Sequence, residues 1–366
     1  MSAEPYPFIR VLIEMNAAKC QREASKNHFG VFKIHLAAFK IHFGFAPKGK
    51  SLLNNESFSP FFLHGWVNSR TFAVYYSTNT LIKQYNNTQK YKEMIDIKDI
   101  SYRYPGQKQQ VFDRFSLELT ENRIYGLLGK NGTGKSTLLY LIAGLLHPKA
   151  GSVCIDGTDA YKRKAEVLQE IFLVSEEFVL PTLSLDKYVQ LLLPFYPRFS
   201  REMLDRCLEA FELPKQLQLN QLSMGQKKKV FMSIALAANT KLLLMDEPTN
   251  GLDIPSKSQF RKVVAECMSD DRTIIISTHQ VHDVEQLLDH ILILSEREML
   301  LDASMADITD RYVFEVRMPG NLDDSIIYAE PSLQGNLVMA RREEGQAETL
   351  VNLELLFNAV TKGLVK

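Results

Sequence analysis

Cysteine is scarce in this 366-residue sequence and never clustered: Cys20, Cys154, Cys207 and Cys267 form no CxxC pair. That spacing argues against a zinc site or a disulfide framework and fits a reducing cytoplasm. Long apolar runs are missing as well. None approaches the roughly 18 consecutive apolar residues that a bilayer-crossing helix needs, so any role at a membrane requires a separate spanning subunit. Net charge is absent, because 43 lysines and arginines balance 43 aspartates and glutamates. No global field is available to hold a phosphate backbone, and no nucleic-acid partner is expected. What the sequence does have is 45% apolar and 23% charged residues, enough for a buried core in two or three domains.

The zero net charge hides an asymmetry. Residues 1–93 hold 12 lysines and arginines, 5 glutamates and no aspartate, with 4 of the 8 histidines. Phe32, Ile34 and Leu36, then Ile41, Phe43 and Phe45, alternate as strands do. Three readings compete for this extension: an ordered extra domain, a basic targeting segment, or upstream DNA translated from an early start codon. The expectation is the third, with Met94 as the working start, and an intact mass on protein from the native host decides it.

From Met94 the pattern changes. Ile95, Ile97, Ile100, Tyr102 and Tyr104 predict a strand, and Pro105-Gly106 a turn. Short apolar runs then alternate with helical patterns: Ile124 to Leu128, Ile171 to Val174, Leu242 to Met245, Thr273 to Ile276 and Ile291 to Leu294. Continuous apolar strands separated by helices predict an α/β fold whose parallel-rich sheet is covered on both faces. One such helix is Ser256 to Met268, with Phe260, Val263, Val264 and Cys267 on one face. Between about 177 and 222 no strand is predicted, and Leu185 to Leu213 reads as helices broken by Pro194 and Pro197, an inserted helical subdomain. Beyond residue 300, strands near Tyr312 to Met318, Ser325 to Tyr328 and Asn336 to Ala340 and a helix over Leu350 to Lys362 predict a small α+β appendage. The expected division is therefore 1–93, 94–300 and 301–366.

The strongest chemical signal is Gly129-Lys-Asn-Gly-Thr-Gly134-Lys135-Ser136, a GxxxxGK[ST] loop placed after one apolar run and before a helical stretch. Glycines at 129, 132 and 134 let backbone N–H groups turn inward around a phosphate, and the following helix N-terminus favours the same anion. Lys135 then meets the β- and γ-phosphates and the Ser136 hydroxyl holds Mg²⁺. Candidate nucleotide-binding residues in this stretch are Gly129, Asn131, Gly132, Thr133, Gly134, Lys135, Ser136 and Thr137. Downstream, Leu242-Leu-Leu-Met-Asp246-Glu247 ends a buried run in two carboxylates. Asp246 is placed to reach Mg²⁺ and Glu247 to polarise an attacking water as general base. Ser223 and Gln226 form an S-x-x-Q capping box opening a helix through Ala238, and with Gly225 between them that helix start is itself an anion site. Lys227 to Lys229 reads as a solvated face.

Taken together, the phosphate loop, Leu222-Ser-Met-Gly-Gln226, LLLMDE, Pro248-Thr-Asn-Gly-Leu-Asp253 and the histidine of Ser277-Thr-His279 resemble the nucleotide-binding subunit of an ATP-binding cassette (ABC) transporter. The resemblance covers about Met94 to Met299 and implies a P-loop NTPase core. The segment around Leu353-Glu-Leu-Leu-Phe357 is similar to the tail of exporter-type ATPases of the ABC-2 class, and Phe195-Tyr-Pro-Arg-Phe199 resembles a bacterial subgroup of them. Carried over residue by residue, the resemblance implies a homodimer or heterodimer that sandwiches ATP. In it, Ser223 and Gly225 of one subunit close on the γ-phosphate held by the loop of the other. Asp253 communicates between subunits, and His279 contacts the γ-phosphate and keeps Glu247 in register. Tyr104 matches the aromatic that stacks on adenine, with Tyr102 the alternate. The implied function is an ATPase powering transport, in the export direction, through an integral-membrane permease at the cytoplasmic face of the cell membrane.

Two positions depart from the family pattern. Met224 stands where glycine is usual. Glu176, after the run ending at Val174, replaces a glutamine that touches Mg²⁺; its carboxylate can still supply an oxygen ligand. The helical segment around Glu177 to Pro197 is expected to dock a coupling helix of the permease; its Phe178, Leu180, Leu183 and Leu185 exceed what a solvent face needs, although core packing explains most of them, while His282 and His290 are surface or core residues. The competing function is a soluble cassette ATPase that clamps ribosomes or DNA. The single phosphate loop and the lack of a heptad run speak against it. A non-hydrolysing regulatory subunit would lack Glu247 or His279, and both are present.

Overall fold

A computed structural model of the chain describes residues 93–318, 320 and 323–365. The strand readings at Phe32 to Phe45 and the status of the extension lie outside the described residues. Met94 falls at the second position of the first strand and is buried.

Among the described residues the chain order sets up three sheets. Strands β1 (Glu93–Tyr102), β2 (Phe112–Thr120) and β3 (Ile124–Leu128) lead into helix α1 (Lys135–Ile142). β4 (Ala150–Ile155), β5 (Thr158–Asp159), α2 (Ala165–Leu168) and β6 (Ile171–Val174) follow. Next come α3 (Leu185–Leu192), α4 (Arg201–Ala210) and α5 (Met224–Ala237), then β7 (Leu242–Asp246), α6 (Ile254–Glu266) and β8 (Thr273–Thr278). The chain closes with β9 (His290–Ser295), β10 (Glu298–Ser304), α7 (Met305–Arg311), β11 (Tyr312–Arg317), β12 (Ile326–Ser332), β13 (Gly335–Arg341) and α8 (Leu353–Thr361).

The central sheet has the order β10-β9-β3-β8-β7-β6, with β9, β3, β8, β7 and β6 parallel and β10 added antiparallel at the edge. Its inner strands carry apolar side chains on both faces, and the period of two divides them cleanly. Leu243, Met245, Ile274, Ile276, Ile291 and Ile293 join a core with the helices. Leu242, Leu244, Ile275, Leu292 and Leu294 join a second core with α1 and the antiparallel sheet β2-β1-β4-β5. That antiparallel layer was legible only as its first strand; β2 and β4 escaped because their alternation is interrupted. Asp99 in β1, Arg114 in β2 and Gly151 in β4 all take positive φ where the register shifts or the strands bend.

Between β6 and β7 the chain is helical, with Pro194 and Pro197 between α3 and α4. Three of the four apolar side chains near the start of this segment belong to the interior, which leaves them to core packing and not to a permease. Leu180 and Leu185 are buried, and the Phe178 ring stacks on Phe231 at 4.6 Å between centroids. The exposed large apolar groups between β6 and the start of α5 are Val179, Leu191, Leu193 and Phe195. The cysteines also hold a difference: Cys207 of α4 and Cys267 after α6 are 60 residues apart yet lie with sulfurs 3.6 Å from one another, both buried. That separation exceeds the ~2.05 Å of a disulfide, so the pair is two thiols. Beside them Arg272, 1% exposed, donates to the carbonyls of Leu236, Thr240 and Cys267 and to Asn239 Oδ1. It joins the ends of α5 and α6 to the start of β8. The sheet β11-β13-β12 and α8 complete the described chain, and α8 packs Leu355, Leu356, Ala359 and Val360 into the same core as the central strands.

Candidate functional site

The register of the central sheet determines what meets at its edge. Asp246 of β7 lies opposite Ser277 of β8, and Thr278 of β8 lies opposite Leu128 of β3. The three strands therefore end together, and the residues that follow them, Gly129, Glu247 and His279, emerge at one edge, the carboxyl ends where ligands bind in open α/β sheets. Val174 of β6 pairs with Met245, so Glu176 emerges beside them.

The loop after β3 wraps because two of its glycines take φ of +83° (Gly132) and +103° (Gly134), a region that L side chains rarely adopt. Gly129 is needed for space instead: a Cβ there would lie 2.6 Å from the Leu294 carbonyl oxygen and 2.7 Å from Thr133 Oγ1. Helix α1 begins at Gly134 with no side-chain cap, which leaves its first N–H groups for a ligand. Lys135 is buried, and its ammonium donates to the carbonyls of Gly129 (2.8 Å) and Lys130 (3.2 Å), with Glu247 Oε1 at 3.7 Å. Burial pushes its pKa down, against the pull of the Glu247 and Asp246 charges. Asn131 is exposed, Ser136 is half-buried and Thr137 is buried. Thr133 Oγ1 donates to the Lys130 carbonyl, closing the loop on itself.

Glu247 is the most constrained residue of the edge. Its φ is +46°, a left-handed conformation that costs a non-glycine residue on the order of 1–3 kcal/mol and persists only when its surroundings over-determine it. Its N–H donates to the Ser277 carbonyl at 3.0 Å. Its carboxylate accepts from Thr278 Oγ1 at 3.2 Å and the His279 N–H at 3.4 Å through Oε2, and meets His279 Nδ1 at 2.8 Å through Oε1. A carboxylate only accepts, so this last bond places the imidazole proton on Nδ1 and leaves Nε2 an acceptor, 3.5 Å from Gln280 Nε2. Asp246, 1% exposed, takes the Ser277 hydroxyl on Oδ1 at 2.5 Å. Glu176 is exposed and accepts from Asn250 Nδ2 at 2.8 Å. Lys135, Asp246, Glu247 and His279 thus share one cluster, with Glu176 at its rim.

Tyr104 lies two residues beyond the end of β1, and its hydroxyl bonds Thr137 Oγ1 at 3.1 Å, so it stands by the loop. Tyr102 is buried, in edge contact with the Tyr104 ring at 5.1 Å, and offers no open face. Ser223 and Gln226 make the expected capping box: Ser223 Oγ accepts from the Gln226 N–H, and Gln226 Oε1 from the Ser223 N–H. A Cβ on Gly225 would meet nothing within 4 Å, and Met224 is 67% exposed, so this helix start opens to solvent. Asp253 caps α6 through the Ser256 N–H at 3.0 Å, and bonds from Ser256 hold its carboxyl below the usual range.

Several functional contacts escaped sequence reasoning. Ser277 and Thr278 hold the carboxylates of Asp246, which ends β7, and Glu247, which follows it, a role their strand position alone could have suggested. Lys228 corrects the reading of Lys227 to Lys229 as a solvated face: it is 7% exposed and bonds the Glu247 and Asn250 carbonyls, while Lys229 donates to Gln259. His282 is exposed and bonded to Glu354, and His290 to Asp302.

A family model for the ABC transporter matches residues 112–250. The methionine import ATP-binding protein MetN of Carboxydothermus hydrogenoformans is 32% identical over 59% of this chain and 67% of its own length. The linearmycin resistance ATP-binding protein LnrL of Bacillus subtilis is 30% identical over 56% of this chain and 68% of its own length. The chain belongs to the ABC transporter ATP-binding proteins. A solved structure described as the ATP binding subunit of an ABC transporter superposes with a TM-score of 0.53 at 26% identity, covering 59% of this chain and 91% of that one. The α/β P-loop NTPase fold expected from the sequence is the fold of this ABC subunit, which binds ATP and works with a membrane permease. Among the described residues no helix is long and apolar enough to cross a membrane.

Proposed function

We propose that this ABC subunit hydrolyses ATP at the edge of β3, β7 and β8 and couples that hydrolysis to export. The observation that carries the reading is Glu247, held in a left-handed turn with its carboxylate on His279 Nδ1 and near the Lys135 ammonium. Backbone N–H groups of residues 129–137 and Lys135 bind the phosphates, and the Tyr104 ring supports the adenine. Glu247 takes the proton of the attacking water, and His279, oriented through Nδ1, presents Nε2 toward the γ-phosphate.

The donor set fits Mg²⁺. Ser136 and Asp246 supply hard oxygens, with Glu176 at the rim, and Mg²⁺ prefers one or two carboxylates plus substrate phosphates over an all-protein cage. When bound, the ion neutralises charge developing on the β- and γ-phosphate oxygens.

Two copies, or one copy and a second ATPase subunit, close around ATP, with Ser223 and Gly225 of one reaching the γ-phosphate on the other. ATP favours the closed pair because its γ-phosphate is contacted there, and hydrolysis removes that contact. Residues 94–300 form the ATPase region, 177–222 the helical subdomain that meets the permease on the cytoplasmic face, and 301–366 the accessory region. MetN is named for import and LnrL for resistance; likeness of residues 301–366 to ABC-2 tails favours export. The test is purification of the tagged chain from detergent-solubilised membranes of its host. A stoichiometric multi-span protein is expected, and recovery only from the soluble fraction without one would overturn the transport reading.

A further inference from the structure

Lys228 stands out among the side chains that the hydrolysis reading leaves without a task. It sits in the second turn of α5, two residues after Gln226 of the capping box, and is 7% exposed. An ammonium at that depth is costly to desolvate, and a methionine of similar length would fill the same space without that cost. Both of its bonds, each 2.8 Å, go to backbone carbonyls at the two ends of one short turn: Glu247 and Asn250. That turn also closes on itself, the Asn250 N–H donating to the Glu247 carbonyl at 3.2 Å. It holds Glu247 at φ +46° and, through the Asn250 amide, Glu176 at 2.8 Å. The Ser277 carbonyl secures the N–H side of Glu247, and Lys228 secures the carbonyl side. Removing the ammonium would take its donor from the Asn250 carbonyl, leave the Glu247 carbonyl with only the 3.2 Å bond from the Asn250 N–H, and loosen the side of the turn that fixes where the carboxylate points.

We propose that Lys228 is a positioning residue for ATP hydrolysis, clamping the Glu247–Asn250 turn to the helix that begins at Ser223. Resting on the hydrolysis reading, the clamp links two jobs within one subunit. The start of α5 serves the ATP held by the partner, whereas Glu247 serves the ATP held by its own loop. A displacement of α5 when Ser223 engages a phosphate is passed through the Lys228 ammonium to the backbone of Glu247. Burial pushes the Lys228 pKa down, against the pull of the Glu176, Glu247 and Asp246 carboxylates, while hydrogen bonds from a charged donor to the two carbonyls are stronger than those from a neutral amide.

The experiment uses the full chain as wild type, Glu247→Gln, Lys228→Met and Lys228→Gln, reading phosphate release, affinity for a fluorescent ATP analogue and melting temperature. Lys228→Met keeps the aliphatic stem and loses the donors. Its kcat is expected to fall at least about tenfold, equal to about 1.4 kcal/mol of barrier, with nucleotide affinity and melting temperature close to wild type. Lys228→Gln, which keeps an N–H donor, is expected to fall between the two. Unchanged turnover in Lys228→Met, or a loss that tracks falling stability and affinity with no recovery in Lys228→Gln, overturns the proposal. Should Lys228→Met not fold at the assay temperature, Lys228→Gln decides: turnover reduced at least about threefold with affinity retained supports the clamp, and wild-type turnover refutes it. Wild-type turnover no higher than that of Glu247→Gln brings down the hydrolysis reading itself, and the clamp with it.

Discussion

Replacing Gly129 with alanine adds one methyl group at the most crowded point of the phosphate loop. The new Cβ would start 2.6 Å from the Leu294 carbonyl oxygen and 2.7 Å from Thr133 Oγ1. Thr133 can rotate away, at the cost of its bond to the Lys130 carbonyl. Leu294 cannot: it lies in β9, between β3 on one side and β10 on the other, opposite Met299. Relief must come from the loop, which has to move by several tenths of an ångström. Overpacking of this kind costs about 1–3 kcal/mol, and for a domain of this size that lowers the melting temperature by roughly 2–10 °C. The movement carries the Gly129 carbonyl, which accepts from the Lys135 ammonium, so ATP affinity falls as well. Gly132→Ala separates space from dihedral strain, because its Cβ would meet nothing within 4 Å although φ is +83°. It should cost only the left-handed penalty of about 1–2 kcal/mol and leave Leu294 undisturbed. Melting curves with and without ATP, plus a fluorescent-nucleotide titration, measure both variants. A Gly129→Ala protein as stable and as tight for ATP as wild type would refute the claim that Leu294 fixes the loop.

At Glu176, replacement with glutamine keeps an oxygen acceptor for Asn250 Nδ2, so phosphate release should stay within about tenfold of wild type, about 1.4 kcal/mol; a larger loss would mean that the carboxylate charge itself is required. His282 is held above its ordinary pKa of 6.5 chiefly by its bond to Glu354, with Glu285 adding to the effect. The bond therefore contributes fully below pH 6.5 and is lost as pH rises through the raised value. With side chains 66% and 60% exposed, screening keeps the contribution under about 1 kcal/mol. The melting-temperature gap between wild type and His282→Gln should shrink from pH 5.5 to pH 8.5, and a gap that does not depend on pH would contradict this.

How much was legible beforehand follows from how local each signal is. The loop at Gly129 to Ser136 and the carboxylates ending LLLMDE were readable because each is a short pattern whose neighbours already imply strand or helix. The capping box at Ser223 was readable for the same reason. Central strands were visible as apolar runs because both of their faces are buried. Beyond its first strand the antiparallel layer was hidden, since Arg114 in β2 and Gly151 in β4 take positive φ and break the alternation. Lys228 was misread because a lysine triplet signals solvent in a sequence, and only the fold reveals two carbonyls waiting at its depth. The pairing of Cys207 with Cys267 joins elements 60 residues apart and leaves no trace in spacing. For Phe178, Leu180 and Leu185 the sequence leaves core packing and a docking face both open, because apolar character does not reveal which way a side chain turns.

The central claim is that Glu247 is the general base of an ATPase. The direct measurement is phosphate release by the purified full-length chain with Mg²⁺ and ATP, wild type beside Glu247→Gln. Glutamine keeps the shape and can still bond His279 and Thr278, so folding and ATP binding should survive. Loss of a general base lowers turnover by about 10²–10⁴-fold, and that drop, with nucleotide affinity kept, is the predicted result. Equal phosphate release by the two proteins would contradict the assignment of Glu247 and the account of the site built around it.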